Sequence, residues 1–175
     1  MNKQAISIIC CALFVSGCAE IGVGTETRDP TATVQLAPLG GSSVRGDITF
    51  TQVGDVVRVT GLVSGHSKGP KGFHIHEKGD CSDPKGMSAG GHFNPAKHKH
   101  GGPYDAEKHA GDLGNITFGA DGTAKISFAV GDITVSRDAA NGIIGRAVIV
   151  HAVVDDLKTD PTGNAGGRVA CGVIK

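Results

Sequence analysis

From Thr31 onward, apolar and polar residues alternate with a period of two, which sends one face of a strand into a core and the other into water. Val44, Ile48 and Phe50 alternate with Arg45, Asp47, Thr49 and Thr51. After "QVGD", the segment 56–63 puts Val57, Val59 and Val63 on one face, so the two runs predict a hairpin. "NITFGADGTAKISFAV" repeats the plan: Ile116 and Phe118 lead through a Gly-Ala-Asp-Gly turn to Ala124, Ile126, Phe128 and Val130. The pattern predicts eight strands, near 31–37, 44–51, 56–63, 71–77, 114–118, 124–130, 145–153 and 168–174. No stretch carries a long amphipathic helix. Short strands with glycine-rich turns predict an all-β domain, an antiparallel sandwich or barrel whose edges are closed or covered.

Two segments, 78–113 and 154–167, break the alternation. An irregular stretch of the first one's length needs a function or an external source of order. Within it, "HFNPAKHKHGGPYDAEKHAGD", residues 92–112, holds four of the chain's 8 histidines and almost nothing able to form a core. His92, His100, His109 and Asp112 make three nitrogens and one carboxylate, a donor set that four-coordinate zinc accepts. Metal binding would supply folding energy to such a loop. His74 and His76, two apart in "GFHIHEKGDC", project from one face of a strand while Ile75 points to the other. His151, in the apolar run "RAVIVHAVVDD", reads alone as a core histidine bonded to backbone. Beside His74 and His76 it would complete an all-nitrogen site suited to copper, zinc or nickel.

Composition narrows the partners. The chain has 17 basic and 17 acidic residues, so it lacks the basic excess that a nucleic-acid partner requires. Residues 1–17, "MNKQAISIICCALFVSG", have a basic start at Lys3, an apolar run from Ile6 to Val15 and a small-residue end, as in a secretory signal. "VSGC" then matches the bacterial lipoprotein pattern, in which cleavage leaves Cys18 as a lipid-modified N-terminus; ordinary cleavage near Ala19 is the alternative. The polar residues 18–30 read as a lipidated tether and 31–175 as the functional domain. These features predict an envelope protein on the periplasmic side, attached to a membrane through lipid on Cys18. With Cys10 and Cys11 leaving in the signal, Cys81 and Cys171 most simply form one disulfide. Closing that loop is worth about 4 to 5 kcal/mol in the chain-entropy picture.

"GFHIHEKGDC", "GGHFNPAKHKHGGPYDAEKHAGDLGNI", "HAVVDD" and "GNAGGRVACGVI" together resemble the copper,zinc superoxide dismutases, in particular the exported bacterial kind, over nearly all of 31–175. The resemblance implies an eight-stranded antiparallel Greek-key barrel or sandwich, immunoglobulin-like, with long metal-binding loops. It implies one copper ion per subunit on His74, His76, His92 and His151, and one zinc ion on His92, His100, His109 and Asp112, with His92 bridging both. Asp155 matches an aspartate that accepts hydrogen bonds from His74 and His100, Arg168 matches the arginine at the copper mouth, and Cys171 matches the partner of Cys81. The implied activity is disproportionation of superoxide to dioxygen and hydrogen peroxide by a copper that is alternately reduced and reoxidised. Arg168 and His92 would be its catalytic side chains, zinc would be structural, and the role would be to protect the cell envelope.

"DDLKTDPTGNAGG" is short beside the animal enzymes, so their substrate-guiding cluster has no clear counterpart; Lys68, Lys71, Lys78, Lys97 and Lys99 are candidates, or merely solvated. His98 and His66 read as ordinary loop residues. A periplasmic copper and zinc buffer would use the same ligands without turnover, but storage needs no Arg168. A two-metal zinc hydrolase would want a carboxylate base, and Glu77 points to the wrong strand face. The metal motifs neither fix nor exclude a homodimer.

Overall fold

Eight strands form where the alternation places them, in a computed structural model that describes residues 29–175. The signal-like segment, Cys18 and nearly all of the tether lie outside the described residues. The strands are β1 (Thr31–Pro38), β2 (Arg45–Val53), β3 (Val56–Ser64), β4 (Gly69–His76), β5 (Asp112–Phe118), β6 (Thr123–Val130), β7 (Ala147–His151) and β8 (Arg168–Val173). They pair antiparallel in the order β5-β4-β7-β8-β1-β2-β3-β6, and the β5–β6 connection brings the two ends of that order together. The non-consecutive neighbours β4-β7, β8-β1 and β3-β6 make a Greek-key barrel that is nearly closed. Near-closure leaves little free edge for another chain to pair with.

Period-two burial explains the core. Val34, Leu36, Ile48, Phe50, Val57, Val59, Val63, Ile126, Phe73 and Ile75 all turn inward to one apolar cluster. β7 is instead buried at every position. Its Val148 and Val150 enter that core, while Ala147 and Ile149 pack outward with Leu39, Ala89 and Cys171 beneath the loop that follows β4. The continuous apolar run of β7 is therefore a strand covered on both faces.

That loop has more apolar anchorage than its sequence suggests. Phe93 is buried in the main core, and the Arg146 guanidinium lies 3.4 Å over its ring. Cys81 is bonded to Cys171 on β8, and Lys108 is paired with Asp132. Metal is not the loop's only source of order.

Candidate metal centre

Sheet register assembles the site. His74 on β4 faces Asp112 at the start of β5, and His76 forms an isolated bridge with His92. His151 at the end of β7 faces Arg168 at the start of β8, just past a register shift. Backbone bonds continue the ladder beyond the regular strands: Phe93 N to Ile75 O at 2.8 Å, Ile75 N to Gly111 O at 3.0 Å and Gly111 N to Phe93 O at 2.9 Å. Residues far apart in the chain are thereby held around one end of the barrel.

Two donor quartets result, His74, His76, His92, His151 and His92, His100, His109, Asp112, all buried, with the donor atoms of each within 4.8 Å of one another. In the second, Asp112 Oδ1 lies 2.8 Å from His92 Nδ1 and 3.1 Å from both His100 Nδ1 and His109 Nδ1. His109 Nδ1 is 3.4 Å from His92 Nδ1. Ligands at about 2.0–2.1 Å from a tetrahedral zinc stand roughly 3.3 Å apart, so the spacing suits that ion. His100 Nδ1 is buried without a hydrogen-bond partner despite its nearness to Asp112, which marks the cluster as converging donors.

In the first quartet each ring is aimed by a bond from its other nitrogen. His76 Nδ1 donates to Gly90 O at 2.9 Å, and His151 Nδ1 to Gly166 O at 3.3 Å. His74 Nε2 donates to Asp155 Oδ2 at 2.7 Å, and Asp155 Oδ1 accepts from His100 Nε2 at 2.9 Å. One carboxylate therefore orients a ring in each quartet. What remains are His76 Nε2 and His151 Nε2, 3.4 Å apart, and His74 Nδ1 and His92 Nε2, buried without hydrogen-bond partners. Four such nitrogens form a set that suits copper. His92 gives one nitrogen to each quartet.

At His76, His92 and His151 the electrostatics favour metal binding. Burial, with the neighbouring imidazoles, pushes His76 and His151 well below the ordinary histidine range, and burial lowers His92 to about 4. These rings are neutral near pH 7, as ligands must be. Burial opposes ionisation of Asp112, but the His100, His109 and His92 rings close around it override this and hold the carboxyl well below its usual range. For His100 burial is again outweighed, here by Asp112 and Asp155, and its value rises to about 10, so a metal bound there would have to displace a proton from the ring.

A cleft of about 560 Å³ reaches the all-nitrogen quartet, with His76, His92 and His151 among its lining residues. His109 is the only other metal-quartet member that lines it. Arg168 borders the cleft, its Nη1 and Nη2 each donating at 2.6 Å, to Gly86 O and Gly90 O. Gly90 O thus orients both His76 and Arg168. Gly90 has φ 73° and ψ −155°, and a Cβ there would strike the Glu77 carboxylate, so glycine is required.

Residues 44–174 match the copper/zinc superoxide dismutase (SODC) family. This chain belongs to that family. The fold is similar to that of the clock protein EA4 in its crystal structure, with a TM-score of 0.76 and 45% identity over 85% of this chain and 95% of that one. As a copper/zinc superoxide dismutase the chain is an oxidoreductase that acts on superoxide and binds copper and zinc.

Other sequence-level candidates fall elsewhere. His98 is exposed and outside both quartets; its backbone is tied to Asn94. His66 packs against the Phe118 ring. Lys68, Lys71, Lys78, Lys97 and Lys99 do not line the cleft, whereas Lys85 does. Lys85 escaped the sequence reading because a turn capped by Asp83, whose Oδ1 accepts from Lys85 N at 2.9 Å, brings it to the lip. Asn115 was also missed: its side-chain amide brackets the Asp155 backbone, donating to Asp155 O at 2.9 Å and accepting from Asp155 N at 2.8 Å. Its place in a strand pattern gave no signal of that role.

Proposed function

We propose that His74, His76, His92 and His151 hold the copper ion and that His92, His100, His109 and Asp112 hold the zinc ion of a superoxide dismutase working in the cell envelope. The observation that carries this reading is the pair of quartets sharing His92, with only the all-nitrogen one opening broadly to a cleft bordered by Arg168. Copper, when bound, supplies the one-electron redox step between successive superoxide ions, and zinc, which has no redox chemistry, supplies structure. The chain's own residues do the rest. Arg168, fixed by two carbonyls, presents positive charge and donors to an entering anion. His92 Nε2 is the atom placed to hold a proton for the departing peroxide. Asp155 keeps His74 and His100 in the tautomers whose Nδ1 atoms face the ions.

Metal content measured beside a superoxide assay on the purified protein tests this. We expect one copper and one zinc per chain with rapid turnover. His92→Ala should deplete both metals, and His98→Ala neither. Metal binding without turnover would instead favour a copper and zinc buffer, and zinc loss in His98→Ala would overturn the ligand assignment.

For residues 1–30 the reading is a cleaved signal, then a tether lipidated at Cys18 that anchors the enzyme to a membrane facing the periplasm. "VSGC" supports it. In bacterial expression, a radioactive fatty acid should label the protein and fail to label Cys18→Ser; equal labelling would exclude this anchor.

A further inference from the structure

Met87 begins the short 3-10 turn Met87–Ala89, is 62% exposed, and lines the same cleft as His76, His92 and His151. Its backbone is fixed: Met87 N donates to Asp83 Oδ1 at 3.0 Å, and the preceding Gly86 O holds Arg168. The thioether is thus an exposed group on a fixed base at the lip. In the same cleft, His92 is only 7% exposed and its Nε2 has no hydrogen-bond partner.

We propose that Met87 is a transient Cu(I) ligand at the cleft mouth, from which copper passes inward to His76, His92 and His151. The proposal rests on the copper site assigned above. Thioethers are soft donors that favour Cu(I) and bind zinc poorly, so the group discriminates between the two metals this protein must load. Among the described residues it is the only soft sulfur on offer, because Cys81 and Cys171 are joined to each other and the chain's other methionine is Met1. Lys85 and Arg168 border the same cleft, and their positive charges, suited to an anionic substrate, oppose a bare cation. A neutral ligand that never competes with protons can hold Cu(I) there against that field. The metal remains Cu(I) throughout, so no electron changes hands.

The test uses zinc-loaded, copper-free protein, wild type and Met87→Leu, without oxygen. Each is mixed with Cu(I) bound to a chromophoric chelator, and copper transfer is followed by loss of chelator colour. Met87→Leu keeps the bulk and removes the sulfur. We expect its Cu(I) uptake to be several-fold slower, with unchanged final copper content, unchanged zinc content and unchanged uptake of Cu(II). Equal Cu(I) rates would overturn the proposal, as would equal slowing of Cu(I) and Cu(II), which would reduce Met87 to a steric part of the lip. If neither protein holds copper at the endpoint, the copper-site assignment itself fails.

Discussion

In the proposed enzyme Lys85 and Arg168, which both line the cleft, would act on the same anion at different ranges. Arg168 is half-buried, immobilised by two carbonyls and placed opposite His151, so its charge serves docking. Lys85 is exposed and bound to the lip only through its backbone, so its charge serves attraction from a distance. Exposed charges are screened within about 10 Å at 0.1 M salt. Lys85→Gln should therefore lower kcat/KM at low ionic strength by roughly threefold, a modest part of what steering can supply, and flatten its dependence on added salt. Superoxide turnover measured across a salt series checks this; an unchanged salt slope would remove Lys85 from the steering role. Gly163 shows how little freedom the site allows: it has φ 63°, and a Cβ would overlap both the Asp155 carboxylate and the His100 ring.

At the scale of elements, the loop after β4 is the part on which the site depends most. It carries His92, His100, His109, the Gly86 and Gly90 carbonyls and the lip residues Lys85 and Met87. The Cys81–Cys171 bond ties it to β8, whose first residue is Arg168. Replacing both cysteines by alanine should cost about 2–5 kcal/mol, the usual range for a native disulfide. It should also lower turnover in protein that remains folded and fully metallated. Thermal unfolding and the superoxide assay check the two parts. The strands were legible because half-buried strands leave a period-two trace, and even the isolated His74 and His76 could be placed on one face. β5 begins at Asp112, earlier than the alternation indicated, because a buried carboxylate pairs with His74 there and breaks the apolar pattern. Phe93 was illegible as core because it is a single apolar residue in a polar run. Lys85 and Asn115 were illegible because their roles depend on how a loop and a distant turn come to rest.

For the whole molecule, the buried imidazoles make stability in the metal-free state depend on pH. His76, His92 and His151 lie below the ordinary value of 6.5, His92 at about 4. Unfolded imidazoles take up protons below pH 6.5 while these resist, so their contribution is complete above pH 6.5 and is lost as pH falls below it, toward about 4 for His92. His100, raised to about 10, works the other way: its contribution is complete below pH 6.5 and is lost as pH rises toward 10. The metal-free protein should show a maximum in Tm near pH 6.5, with the steeper decline on the acid side, where three rings act together. Calorimetric scans after chelation check the shape, and a flat profile from pH 4 to 8 would contradict it. Once metals are present, His92 imposes a different kind of bookkeeping. If His92 serves both ions as proposed, their binding is linked reciprocally: whatever factor zinc contributes to copper affinity by fixing His92, copper must return to zinc. Where that factor is favourable, losing either metal would loosen the other, and a compartment that starves the enzyme of zinc would weaken its hold on copper with no change at His74, His76 or His151.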